Sequence, residues 1–167
     1  MVFDKTLLHT QEKRATNLSA PVECIHEDAW LGRGWYFWFD VDDAHNWGRQ
    51  FKRATGYYQI YSARVATDKV FDTVFNEKQY LFWLETIELV LNQLAKNPTK
   101  VTLQDLNEFL ADDHFYDDVD IVMFQDISPK QKNVIGGGVF HYKKRIQIAV
   151  FKLSVVSDFK LYLENRC

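Results

Sequence analysis

"GRGWYFWFDVDDAHNWGRQ", residues 32–50, decides how this chain is read. Two glycines bracket Arg33, five aromatic residues run from Trp35 to Phe39, and acids then open a second segment. The nearly unbroken apolar run Arg33–Val41 predicts a strand buried on both faces. A helix should follow, capped by Asp40 or Asp42, with Asp42 and Asp43 in its first turn. Arg49, Lys52 and Arg53 suit its last turn, Ala44, Trp47 and Phe51 its inner stripe, and Gly56 its end. Gly48 inside that helix costs about 1 kcal/mol relative to alanine, which close packing against a neighbour would explain.

The rest of the chain fits around this core. Thr6–Leu8 reads as a strand ending at His9, and Ala15 and Leu18 are spaced for a short helix over 11–20. "YYQIYSARV" (57–65) alternates as a strand should. Asn76 with Gln79 resembles a capping pair for a long helix to about Ala95, with Tyr80, Leu84, Ile87, Leu91 and Leu94 as its inner stripe. A shorter helix starts near Thr102 with Leu103, Leu106 and Leu110 inside. "VDIVMF" (119–124), "RIQIAVF" (145–151) and "DFKLYL" (158–163) are strands. Strands at both ends with helices between, and no regular βαβ alternation, predict an α+β fold with a curved, mostly antiparallel sheet.

Composition narrows the function. At 167 residues, 47% hydrophobic and 16% aromatic, the chain reads as one packed domain spanning 1–167. Cys24 and Cys167 alone make no disulfide framework, so a reducing, cytoplasmic setting is expected. "MVFDKTLLHT" (1–10) has no basic stretch leading into a sustained apolar core, and no apolar run approaches a membrane span. Between Val101 and Pro129 there are eight acids and no lysine or arginine. From Ile127 to Ser157 there is no acid, but Lys130, Lys132, Lys143, Lys144, Arg145 and Lys152 are present. Two mutually attracting solvated faces would account for this, as would a basic surface for a polyanion. Phosphate-loop, dinucleotide-loop, zinc-protease and nucleophile-elbow motifs are all missing. "DDHFYDD" (112–118) lacks calcium-loop spacing and reads as a solvated acidic loop; "GGG" (136–138) reads as a hairpin loop.

What remains is His9 at a strand end, Tyr36 inside "GRGWYF" (32–37), and Gln147 inside the strand "QIAVF" (147–151). A buried strand glutamine is unusual because its amide needs partners. In this order and context the chain resembles the ADP-ribosyltransferase superfamily, in the histidine–tyrosine–glutamate branch of the poly(ADP-ribose) polymerases and diphtheria toxin. "LLHTQ" (7–11) stands where the branch has His-Gly-[Ser/Thr]. "GRGWYF" matches its Gly-x-Gly-hydrophobic-Tyr-Phe strand, "DDAHNW" (42–47) its alanine-containing helix, and "QIAVF" its late strand. The motif spacing is similar to that of small bacterial or phage-related members.

The resemblance implies an ADP-ribosyltransferase-like fold with a split sheet and flanking helices, and NAD+ as co-substrate without a metal. It implies that His9 bonds the adenine-side ribose, that the backbone at Thr10 meets the nicotinamide amide, and that Tyr36 stacks on the nicotinamide ring. Gly32 and Gly34 would let the backbone approach the dinucleotide, Tyr61 could supply a second stacking face, and Gln147 would orient the ribose 2′-hydroxyl. Two departures stand out. Thr10 replaces glycine and tightens the pocket. Gln147 replaces glutamate and cannot act as a base, which favours single transfer over polymer growth; a base, where one is needed, must come from the acceptor or from elsewhere in the chain, with Glu85 or Asp158 as candidates.

The loop ahead of the late strand, about 128–145, would recognise the acceptor. It carries Lys130, Lys132, Lys143, Lys144 and Arg145 interleaved with Phe140, His141 and Tyr142, which suits single-stranded RNA or DNA, with protein side chains second. The expected function is mono-ADP-ribosyl transfer by a toxin or phage-defence effector held by a neutralising partner such as an antitoxin. An NAD glycohydrolase, and an inactive module that binds NAD or a partner, stay open beside it.

Overall fold

The computed structural model describes residues 2–26, 29, 31–94, 101, 103–127 and 144–167. Among the described residues seven strands and three α-helices follow in the order β1 (Phe3–Glu12), β2 (Trp35–Trp38), α1 (Val41–Phe51), β3 (Tyr57–Thr67), β4 (Val70–Asp72), α2 (Glu77–Leu94), α3 (Leu103–Asp112), β5 (Ile121–Ile127), β6 (Lys144–Val150) and β7 (Val156–Arg166), with a short 3-10 turn over Leu153–Val155 ahead of β7. The strands form one sheet in the order β4-β5-β6-β2-β1-β3-β7. Every pairing is antiparallel except β4 with β5. The architecture is α+β, as the element pattern predicts.

The sheet cannot be flat. β3 ends at Thr67 and β4 begins at Val70, yet the two lie at opposite sides of the order, five strand spacings apart. Five spacings of a flat sheet are about 24 Å, whereas three residues reach at most about 11 Å. The sheet must therefore curl until its ends approach. The core agrees: Val70 of β4 and Val156 and Phe159 of β7 pack against one cluster built on Leu7, Phe37, Val65, Ile148 and Val150. This cluster fills the concave side. The convex side carries α2 and α3 on Phe71, Trp83, Leu106, Leu110, Val122 and Ala149, and α1 on Trp38, Tyr58 and Ile60.

Several boundaries differ from the sequence reading. β1 is longer than Thr6–Leu8, because ten consecutive residues pair with β3, and His9 falls in its interior. β2 is only four residues, and Phe39 is exposed. No helix forms over 11–20: Gln11 and Glu12 complete β1, and the polar residues beyond are held by bonds such as Leu18 N–H to the Tyr61 hydroxyl (3.0 Å) and Gln59 to Asn17 (3.2 Å). β4 was not foreseen.

The helices follow their caps better than their stripes. Asp40 caps α1, its carboxylate accepting from Asp42 N–H at 2.8 Å. That helix stops at Phe51, before Gly56, so Lys52 caps its C-terminal end instead of lying in its last turn. Phe51 is exposed, and Gly48 takes the inner position against Tyr58. Asn76 caps α2 by accepting from Gln79 N–H at 3.3 Å, but the Gln79 amide reaches β4 at Asp72 N–H (2.8 Å) and does not close the pair. Trp83 and Val90 form the buried side of α2, with Ile87 beside them, while Tyr80 and Leu84 are exposed. Leu106 and Leu110 of α3 are buried as expected.

Candidate functional site

β1 and β2 pair at Leu8 and Trp38. Beyond that pair the imidazole of His9 links the two strands. Its Nδ1 lies 2.8 Å from the carbonyl of Tyr36, and its Nε2 lies 3.1 Å from the Val22 N–H. A carbonyl only accepts, so Nδ1 carries the proton and Nε2 accepts from Val22. The ring is 3% exposed and packs beside Phe37 and Phe159, with centroids at 5.4 and 6.1 Å. Burial holds His9 neutral, its pKa lowered to about 4 against the partial offset of the Tyr36 bond.

Tyr36 points the other way. Alternation along β2 sends Trp35 and Phe37 into the concave core and Tyr36 to the convex side, against the Leu31 and Ala149 cluster. Its hydroxyl donates to the Gly32 carbonyl (2.8 Å) and accepts from Leu31 N–H (3.0 Å). Burial pushes its pKa upward, so the hydroxyl stays protonated. Tyr116 stands near enough to feel the Tyr36 hydroxyl; its own buried hydroxyl has no hydrogen-bond partner among the described residues.

Gln147 lies on β6 opposite Trp38 and alternates with Ile146 and Ile148, which face the concave core. It therefore shares the convex face with Tyr36, whose own partner on β6 is Ala149. No hydrogen bond of its half-buried amide falls among the described residues. The sheet thus brings Tyr36 and Gln147 together on one face, while His9 meets them from the other side through the gap between β1 and β2.

The remaining predicted residues are committed to the fold. Tyr61 is fully buried, donates to Gln59 at 2.8 Å, and stacks on Phe159 with centroids 4.8 Å apart and planes 6° apart. Phe159 therefore occupies one face of its ring. Thr10 turns its hydroxyl to the Ala44 carbonyl at 3.0 Å and pins α1 to β1. Gly34 is bridged to Cys24 by two backbone bonds, and a Cβ there would lie 2.9 Å from the Val150 carbonyl. Its missing side chain lets β6 approach. Gly32 has φ 74°, a conformation that favours glycine in the turn ahead of β2.

Glu85 and Asp158 are both exposed. In the acidic loop the carboxylates of Asp112, Asp113, Asp117 and Asp118 are exposed while Phe115 and Tyr116 pack inward. Lys152 joins the acidic and basic stretches through Asp120 at 2.9 Å. Of the acceptor residues, Lys130, Lys132, Phe140, Tyr142 and Lys143 lie outside the described residues, as does the 136–138 glycine run. Lys144 opens β6, and the Arg145 guanidinium sits 5.6 Å from the Trp38 ring centroid. Both cysteines are free. Among the described residues no group of three His, Cys, Asp or Glu side chains could hold a metal, and no helix is long and apolar enough to cross a membrane.

Sequence reasoning missed Val22, which bonds through its backbone and so leaves no side-chain signal. It also assigned no site role to Lys52, whose charge acts on His9. Compared with protein-family models, with curated proteins and with solved structures, the chain matches none.

Proposed function

We propose that the chain is an NAD-dependent mono-ADP-ribosyltransferase with an ADP-ribosyltransferase-like split-sheet fold. The observation that carries the reading is the placement of Gln147, Tyr36 and His9 on three neighbouring strands, β6-β2-β1, at the point where β1 and β2 part. The dinucleotide would cross that divergence, with the adenine-side ribose at His9 and the nicotinamide at Tyr36. Gln147, whose amide makes no hydrogen bond among the described residues, would turn to the ribose 2′-hydroxyl. NAD loses nicotinamide through a cationic ribose, so holding the ring and orienting the sugar lowers the barrier without a metal. Lacking a carboxylate at Gln147, the site favours one transfer to a macromolecule: RNA or single-stranded DNA first, protein second.

His9 can reach a ribose only if Val22 N–H leaves Nε2, a loss of about 1 kcal/mol. The same bond favours a competing reading, a non-catalytic module in which His9 is structural. Incubation with labelled NAD and separate pools of RNA, single-stranded DNA and cell protein decides between them. Label is expected in one pool and at background with Tyr36→Ala, provided that variant melts cooperatively. Free ADP-ribose without labelled macromolecule would mark a glycohydrolase, and intact NAD throughout would leave the non-catalytic module.

A further inference from the structure

We propose that Lys52 anchors the diphosphate of NAD, a subsite that rests on the NAD reading above. Three ties fix where this residue sits. Thr10 Oγ1 donates to Ala44, holding α1 on β1. Lys52 N–H donates to the Gly48 carbonyl at 3.0 Å and closes the helix. Thr55 then grips the Glu12 carboxylate through both N–H (2.7 Å) and Oγ1 (2.6 Å). The segment from Gly48 to Thr55 thus runs beside Thr10–Glu12, the part of β1 that follows His9.

Lys52 is half-buried there, and it has no ion-pair partner among the described residues. Cys24 and Glu12 lie within its field, and the Glu12 carboxylate accepts both bonds from Thr55. The ammonium is close enough to depress His9, and burial together with Arg14 depresses the ammonium itself. A partly desolvated cation without a direct ion pair gains when an anion comes into contact with it. A ribose bound at His9 brings its attached phosphates to this position. A diphosphate would supply the direct ion pair that Lys52 lacks among the described residues, and a compact ammonium suits it as a point charge.

The test is calorimetric titration of the full chain with NAD, ADP-ribose and nicotinamide, using wild type, Lys52→Gln and Lys52→Arg. Lys52→Gln is expected to weaken NAD and ADP-ribose about tenfold, with nicotinamide unchanged and Lys52→Arg close to wild type. The difference should shrink as salt rises. Equal NAD affinity in wild type and a folded Lys52→Gln overturns the subsite while leaving the NAD reading intact. If wild type binds neither NAD nor ADP-ribose, the NAD reading falls and takes the subsite with it. Should Lys52→Gln fail to fold, Lys52→Arg against Lys52→Met makes the same comparison with the aliphatic stem kept.

Discussion

Gly48→Ala is expected to destabilise the protein by about 3 kcal/mol, although the same change in an open helix would stabilise it by about 1 kcal/mol. A Cβ at this position falls 2.3 Å from Cδ2 of Tyr58, 2.5 Å from Cγ and 2.6 Å from Cε2. The obstacle is the middle of a rigid ring, not the tip of a flexible chain. Tyr58 has no exposed surface, and its hydroxyl shares a 2.7 Å hydrogen bond with His45 Nδ1. It cannot swing aside without breaking that bond and opening the core around Trp38 and Ile60. Urea unfolding should show the midpoint falling with little change in slope. An unchanged or higher midpoint would mean that α1 shifts freely against β3, contrary to the packing described.

His9 gives the second large effect. The folded protein keeps it neutral down to about pH 4, while the unfolded chain takes up a proton near its ordinary value of 6.5. Between those limits the unfolded state binds more protons, so stability falls as pH drops from about 6.5 to about 4. The full loss from this side chain is about 3 kcal/mol. His45 is lowered as well and adds a smaller loss of the same sign, reduced by its exposure to solvent. Glu12, Asp120 and Glu164 are held below their ordinary values, and their losses come at lower pH. Stability measured by urea at pH 7, 6, 5 and 4.5 should therefore decline in wild type. In His9→Gln, less stable at pH 7, it should decline much less. Parallel curves for the two proteins would refute the buried neutral imidazole.

The parts of the fold that were legible in the sequence are those fixed by local chemistry. The aromatic strand before α1, the Asp40 cap and the Asn76 cap depend on a few adjacent residues. Gly48 was also read correctly as a contact glycine, since a helix keeps such a residue only for close packing. Side choice was not legible. Tyr80, Leu84 and Leu91 make a helical stripe as regular as Trp83 and Val90, and Ile87 belongs to both. Only the position of the sheet decides between them. For the site, the order of His9, Tyr36 and Gln147 was visible, but which face of the sheet each occupies was not. Alternation gives that only once β1–β2 register is known, and a shift of one residue would reverse it. Gly32 and Gly34 looked like room for a ligand because a sequence cannot say which neighbour comes close. At Gly34 that neighbour is the Val150 carbonyl.

The position of β6 between β5 and β2 has a consequence for synthesis. Chains emerge at about 5–20 residues per second, and roughly a hundred residues separate β2 from β6. For about 5–20 s the exposed edge of β2 has no partner, and the wall of the curled sheet stands open on both sides of the missing strand. The nascent chain must hold Tyr36 beside an unfilled slot through that interval. Chaperone capture and edge-to-edge association are the hazards of such a delay. The same delay is a safeguard for the proposed activity, since Gln147 arrives with the strand that closes the slot.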